Sequence, residues 1–339
     1  MSAATTPLAM QDAFLSRVVE CMAADRSIFV VSADFGSPVM DRIREAFPDR
    51  FLNVGVAEQN LINVCAGLAL EGFKVFAYAI APFLTMRCYE QIRVNLALLS
   101  AIRPMSVTLV GVGAGCSYVA LGPTYQCYED IGVMRALPNL EILSPSDDMS
   151  AAGLVDHCLT GVSVRYVRLD AQVLQRLYTD SVDSEQGFSL LRPGKACCVI
   201  ATGYMSHVAL RVAEILEKEG ITIAVIDLVK LTSFCSPVLT KMVSRFDHVV
   251  TIEEGFHGRG GLDACMREWA AKKLASEISW LHLGVKPMYL YTVGSREMLH
   301  ERLGLGARTI SRAIRDFVSP SHRVRHAGHL RANVSNLRS

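Results

Sequence analysis

No apolar run in these 339 residues is long enough to cross a membrane, because charge or glycine interrupts each one. Met1 to Gln11 lacks the basic start and the apolar core of a secretory signal. Neither sign of charge is in excess: 34 Lys and Arg face 33 Asp and Glu, so no net field selects nucleic acid or a membrane surface as a partner. None of the ten cysteines stands in a Cys-x-x-Cys pair, which argues against a thiolate metal site. Most of them lie inside apolar segments, the pattern of reduced, buried cysteines in a cytoplasmic protein.

What is present is core-forming material. The chain is 51% apolar and 20% charged, ample for well-buried cores, and its length predicts about two domains. Gln11 to Ala24 predicts an amphipathic helix, and Ile28-Phe-Val-Val-Ser a strand. Strand and helix patterns then alternate as far as Val162 to Leu169, with a helix expected over about Phe83 to Leu99 and a glycine-rich loop over Gly111 to Thr124. The alternation breaks in Thr179-Asp-Ser-Val-Asp-Ser-Glu-Gln-Gly, which is polar and turn-rich. A second alternating series runs from Cys197 to a last helix over about Arg308 to Val318.

Such alternation predicts an α/β protein of two domains, each a mostly parallel sheet covered by helices. The expected bounds are residues 1–178, a linker over 179–193, and a second domain over 194–318. Residues 319–339 form a basic tail with Arg323, Arg325, Arg331 and Arg338, expected to be disordered.

The stretch around which the chain is organised is Asn53-Val-Gly-Val-Ala-Glu-Gln-Asn60. If the run after it is helical, Glu58 heads a stripe with Leu61, Ile62, Cys65, Leu68 and Ala69. A carboxylate in that position is expected to be buried, and burial disfavours its charged form. The same residue is also what a helix dipole favours in a first turn.

Asn53–Asn60 resembles the cofactor-activating segment of transketolases and 1-deoxyxylulose-5-phosphate synthases, which use thiamine diphosphate. The resemblance implies that Glu58 is the glutamate that hydrogen-bonds the ring nitrogen of the cofactor's aminopyrimidine. That bond favours the imino tautomer, whose exocyclic nitrogen takes the C2 proton of the thiazolium.

Two further segments carry the same resemblance. Leu121-Gly-Pro-Thr-Tyr-Gln126, with Met134-Arg-Ala-Leu-Pro-Asn139 downstream, is similar to the family's Gly-Pro-Thr-His loop. Tyr125 stands where transketolases carry His, and Leu121 where many carry Asp. Both positions face the sugar donor in the family. Tyrosine donates a hydrogen bond but titrates near pH ~10, and leucine pairs with no hydroxyl, so the ordinary sugar-phosphate donor is in doubt.

The segment Tyr78 to Arg93 resembles the one that stacks an aromatic ring on the aminopyrimidine. It implies Phe83 as the platform, with Tyr78 second. Arg87 and Arg93 share that helix with Glu90, and ion pairs explain them by default. Arg168 falls where the family holds a substrate phosphate. Gly260-Gly261, in the segment that resembles the C-terminal domain, predicts close packing at a helix start.

The chain has no Gly-Asp-Gly, the family's Mg²⁺–diphosphate signature. The resemblance therefore implies the C-terminal component of a split transketolase, carrying the pyrimidine-binding and C-terminal domains. Thiamine diphosphate is the implied cofactor, with Mg²⁺ held mainly by an N-terminal partner subunit, no metal ligands from this chain, and an α2β2 heterotetramer. The expected reaction is transfer of a two-carbon ketol unit. Two alternatives stay open: a decarboxylating relative, such as a 1-deoxyxylulose-5-phosphate synthase or the β component of a 2-oxoacid dehydrogenase, and a silent structural subunit.

Overall fold

A computed structural model describes residues 6–179, 185–232, 236–274 and 277–319. The first sheet holds β1 (Ile28–Ser32), β2 (Phe51–Asn53), β3 (Lys74–Ile80), β4 (Ser106–Val112), β5 (Leu140–Leu143) and β6 (Val164–Leu169). Their spatial order is β2-β1-β3-β4-β6-β5, and every pairing is parallel. Parallel neighbours need crossovers, and helices supply them. These are α1 (Met10–Ala24), α2 (Pro38–Ala46), α3 (Glu58–Leu70), α4 (Tyr89–Gln91), α5 (Asp130–Arg135) and α6 (Asp148–Leu159). The short α4 is flanked by π-helical segments, Phe83–Arg87 and Ile92–Leu98, which together make up the helix expected there.

The strands are apolar throughout because both faces of the sheet are covered. Phe76 and Tyr78 of β3 join the layer of α1, α2 and α6, while Val75, Ala77 and Ala79 join that of α3 and α5. Residues of β4 and β6 divide the same way, Val110 and Val167 to one layer and Leu109 and Tyr166 to the other. This is the period-two alternation of a pleated strand, with both phases apolar.

The second sheet has the order β11-β10-β8-β9-β7. Its strands are β7 (Phe188–Arg192), β8 (Cys198–Ala201), β9 (Ala224–Leu228), β10 (His248–Phe256) and β11 (Ser279–Val285). Only β7 is antiparallel, to β9, so the sheet is mixed. Helices α7 (Tyr204–Glu217), α8 (Pro237–Val243), α9 (Leu262–Lys273), α10 (Arg296–Leu303) and α11 (Ala307–Val318) accompany it. Among the described residues no helix is long and apolar enough to cross a membrane.

Three elements depart from the sequence reading. β7 lies inside the stretch expected to be a linker; of its five residues only Phe188 is buried, so it carries no alternating signal. α2 and α10 were hidden by short, polar sequences, yet each has a serine cap: Ser37 accepts from Met40 N ahead of Pro38, and Ser295 accepts from Met298 N. The expected basic tail lies, from residue 320 onward, outside the described residues.

The two domains meet across a polar seam. Ser144 N donates to Val229 O at 2.7 Å and Leu231 N to Ile142 O at 2.9 Å, which joins the ends of β5 and β9. Arg296 of α10 pairs with Asp170 at 2.6 Å and with Glu254 of β10 at 2.5 Å, all three side chains being buried. Burial pushes the Glu254 carboxyl up, but Arg296 and His300 outweigh it and hold the group well below the usual carboxylate range. Asp227 receives hydroxyl bonds from Ser146 at 2.7 Å, Ser206 at 2.6 Å and Tyr178, so three segments converge on one carboxyl.

Glu253, the residue before Glu254, is incompletely satisfied. It is fully buried, Oε1 accepts from Asp263 N at 3.1 Å, and Oε2 finds no partner. A Cβ on Gly261 would lie 2.2 Å from that Oε2, which gives the expected close packing at the start of α9 a specific neighbour. Burial, the dominant cause, raises the Glu253 carboxyl to about 7. The folded state therefore holds this proton more tightly than the unfolded chain does. The corresponding stability is full below the ordinary value of 4.5 and is lost as pH rises through about 7. Glu253→Gln removes this titration. Urea unfolding between about pH 4.5 and 8 is expected to show the parent losing stability, relative to the variant, by a few kcal/mol in order of magnitude. Parallel profiles for the two proteins would show that Glu253 is not the source.

Candidate active site

The C-terminal ends of the first sheet's strands carry most of the residues singled out from sequence. This is where parallel α/β sheets place ligands, because the loops leaving neighbouring strands face one another there. Asn53, the last residue of β2, fastens its loop to that of β1. Its Oδ1 accepts from Gly55 N at 2.9 Å and Asp34 N at 3.1 Å, and its Nδ2 donates to Asp34 Oδ1 at 2.9 Å. The chain then turns directly into α3, with Glu58 as its first residue.

Glu58 is buried at 4% exposure on the stripe expected for it, with Leu61, Ile62, Cys65 and Ala69 buried below it. Its Oε2 accepts from Arg87 Nη1 at 2.7 Å. Arg87 and Phe83 sit four residues apart in the π-helical turn after β3, and the guanidinium lies 4.5 Å over the Phe83 ring. Two side chains, one in that turn and one directly after it, bond back to carbonyls four residues earlier: Thr85 Oγ1 to Ala81 O at 2.8 Å and Cys88 Sγ to Leu84 O at 2.7 Å. Such insertions re-aim side chains, and they recur at functional sites.

Phe83 also meets the glycine-rich loop after β4. Tyr125 stands edge-on to it at 5.2 Å, and Tyr118 edge-on to Tyr125 at 5.9 Å. Burial pushes the Tyr118 hydroxyl up to about 12. The loop's base is held by the seam: Gly115 and Cys127 exchange backbone bonds at 3.0 and 2.8 Å, and Cys116 Sγ donates to Glu254 Oε1 at 2.8 Å. Gly115 has φ +60°, and a Cβ there would fall 2.0 Å from Glu254 Oε2, so only glycine serves. The second domain reaches the same loop through Gly294 N, which donates to Val119 O at 3.4 Å. Leu121 stands half exposed at the rim.

The structure thus joins Glu58, Phe83 and Tyr125 in one contact chain and places Leu121 on the same loop. Two other expectations need correction. Tyr78 is fully buried, stacked on Phe35 at 5.2 Å with its hydroxyl 3.3 Å from Gln11 Oε1, and offers no ring face to a ligand. Arg168 is closed in: its Nε and Nη2 donate to Asp130 at 2.8 and 3.2 Å, Tyr166 donates to the same carboxylate at 2.9 Å, and the side chain is 3% exposed. A phosphate would have to displace Asp130.

Two residues went unrecognised in the sequence. Arg87 was read as an ordinary ion-pairing arginine; its spacing of four from Phe83 was the available signal. Tyr118 had none, since its contact is made by loop geometry. Arg93, by contrast, pairs with Glu90 at 2.9 Å on the exposed helix face, as the default reading had it.

Among the described residues one group has the composition of a metal site: Cys116, Glu254 and His300, with ligand atoms within 4.8 Å of one another. Arg296 donates to both Glu254 oxygens, at 3.0 and 2.5 Å, so the cation of this cluster is the guanidinium. The donors that a Mg²⁺–diphosphate unit requires, oxygens in octahedral array, are not assembled there. A buried carboxyl beside a flat apolar ring does suit the aminopyrimidine end of a thiamine cofactor, which offers a ring nitrogen and a π-face.

A buried acid at the head of a helix, an aromatic ring linked to it through Arg87 and a loop tyrosine edge-on to that ring come together at the strand ends of an α/β fold. Residues 6–175 match the transketolase pyrimidine-binding domain and residues 188–310 the transketolase C-terminal domain. The chain belongs to the transketolase family.

It is 29% identical over 265 residues to one of the subunits of the apulose-4-phosphate transketolase of Actinobacillus succinogenes, spanning 78% of this chain and 83% of that one. Against 1-deoxy-D-xylulose-5-phosphate synthase of Aquifex aeolicus it is 28% identical over 324 residues, covering 92% of this chain but only 49% of the synthase. Among solved structures, a split-gene transketolase described as an inactive β4 tetramer superposes with a TM-score of 0.79 at 29% identity, over 91% of this chain and 98% of the other.

If Arg168 is a structural ion pair, Arg168→Met leaves Asp130 charged and unpaired in the core. A loss of about 3–5 kcal/mol is expected in urea unfolding. A variant as stable as the parent would show that the pair contributes nothing to the fold and would reopen the phosphate role.

Proposed function

We propose that this chain is the C-terminal subunit of a split, thiamine diphosphate-dependent transketolase-like enzyme that transfers a two-carbon ketol unit from a ketose-type donor to an acceptor. The observation that carries the reading is Glu58, buried at the head of α3 and joined through Arg87 and Phe83 to Tyr125. The family's two later domains span the chain, and no Gly-Asp-Gly accompanies them. The diphosphate and Mg²⁺ are then held by a partner chain, in an α2β2 assembly in the cytoplasm. The likeness to a relative that is itself named as one subunit of a transketolase supports this division.

When bound, the cofactor supplies a carbon nucleophile that carries the two-carbon unit. This chain's part is to bind, orient and exchange protons. Glu58 holds a proton on its carboxyl toward the ring nitrogen, and its burial keeps competing water away. Phe83 fixes the plane of the ring by stacking. Tyr125 donates its hydroxyl hydrogen to a substrate oxygen, which orients the substrate; proton transfer at neutral pH falls to other groups. Leu121 leaves its side of the mouth apolar, which selects a donor without a hydroxyl to satisfy there. A decarboxylating reaction is the second reading, favoured by the likeness to 1-deoxy-D-xylulose-5-phosphate synthase over nearly the whole of this chain.

The test mixes this chain with a candidate N-terminal partner that carries Gly-Asp-Gly, adds thiamine diphosphate and Mg²⁺, and follows exchange of the cofactor's C2 proton in D2O. Exchange is expected to need both chains and to fall at least about 100-fold in Glu58→Gln. A complex that forms but exchanges only at the rate of free cofactor would leave this chain a silent structural subunit.

A further inference from the structure

Resting on the cofactor reading above, one contact goes further than it. The two groups that reading assigns to the aminopyrimidine are not vacant in the free chain: one side chain covers both. Arg87 Nη1 donates to Glu58 Oε2 at 2.7 Å, and the same guanidinium lies 4.5 Å over the Phe83 ring. A guanidinium is flat, cationic and rich in donors, so it stacks on an aromatic face and satisfies a carboxylate at once. We propose that Arg87 is a positioning residue that caps the ring-binding surface of the free chain and must leave it when the cofactor's aminopyrimidine docks.

Three features argue for a movable cap and against a fixed support. First, the pair is unequally buried: the Glu58 side chain is 5% exposed and that of Arg87 47%. The carboxylate is part of the wall, while the guanidinium reaches it from solvent on a long stem and can rotate back there. Second, Gln59 Nε2 donates to Arg87 O at 3.3 Å, which ties the backbone of the π-helical turn to α3. Uncapping is then a side-chain rotation, with Phe83 staying in place.

Third, the cap opposes the proposed chemistry. Glu58 Oε2 is an acceptor while Arg87 donates to it, and that oxygen cannot then donate to a ring nitrogen. Nor can a heterocycle stack on the area of Phe83 that the guanidinium covers. Arg168 shows the contrast within the same chain: its guanidinium is 3% exposed and enclosed by Asp130 and Ser144, with no route out.

A half-exposed ion pair with a cation–π contact is weak enough for a ligand to displace and strong enough to lower its apparent affinity. A site that is competent only part of the time binds weaker by the fraction of time it is open. The cap therefore keeps a lone subunit from holding the cofactor's ring before its partner is present. It also keeps a buried acid and an apolar ring from standing bare.

The test uses the full chain alone and 4-amino-5-hydroxymethyl-2-methylpyrimidine, which carries the ring without the diphosphate. Binding is followed by saturation-transfer NMR for the parent, Arg87→Ala and Arg87→Gln, each checked by circular dichroism for native fold. The Gln variant keeps most of the stem should the Ala variant fold poorly. Both are expected to bind the ring about tenfold tighter than the parent. Arg87→Lys, which retains charge but not the planar stack, should fall between. Adding Glu58→Gln to Arg87→Ala should abolish the gain.

A merely structural arginine would not give tighter binding on removal. Equal or weaker binding by Arg87→Ala and Arg87→Gln would overturn the cap and make Arg87 a bystander or a holder of the ring. The same conclusion follows if none of the chains binds the probe, since uncapping alone is held to expose the surface. Failure here leaves the cofactor reading intact, because that stands or falls on two-chain C2 exchange.

Discussion

The guanidinium of Arg296 is what the arrangement of the molecule depends on. It lies buried between Asp170, which follows the last strand of the first sheet, and Glu254, in the second sheet. Three ionised groups taken out of water are stable only if their geometry is maintained, since removing any one strands the others. The domains are thereby fixed in one relation. Glu254 in turn receives Cys116 Sγ and leaves no room for a Cβ at Gly115, so the glycine-rich loop starts from the seam. From there contacts run through Tyr118 and Tyr125 to Phe83, Arg87 and Glu58. The candidate site is therefore built on the first sheet but braced by the second domain.

Buried ionisable groups divide into two kinds in this chain. Arg296 with Glu254 and Arg168 with Asp130 are mutually satisfied, enclosed pairs whose role is positional. Glu58 and Glu253 differ from these: the first is bound by a half-exposed arginine, and the second leaves an oxygen without a partner. Only Glu58 stands at the strand ends beside an aromatic face, which is why function is assigned to it. Glu253 faces the seam and a helix start.

Much of the fold was legible because both sheets are covered on both faces. Strands such as Lys74–Ile80 and Ser106–Val112 must then be apolar in both phases, and helices between them must carry one apolar face. β7 escaped because an edge strand with one buried residue satisfies its backbone by pairing alone and needs no side-chain pattern. The short helices α2 and α10 escaped for a similar reason. Their signals were the caps at Ser37 and Ser295, which are local and carry no periodicity.

Residue type and local spacing were enough to determine the alternating α/β order, the burial of Glu58 at a helix start, and the family resemblance of its segment. Those properties depend on neighbours within a turn or two of chain. Which groups those side chains meet was decided only by tertiary structure. Arg87 met Glu58 across 29 positions, and Arg168 met Asp130 across 38. Tyr78 was carried into the core, because β3 points alternate residues to opposite layers and its phase faces α1. Partners across such separations are set by how sheets stack and loops converge, and no local pattern encodes that.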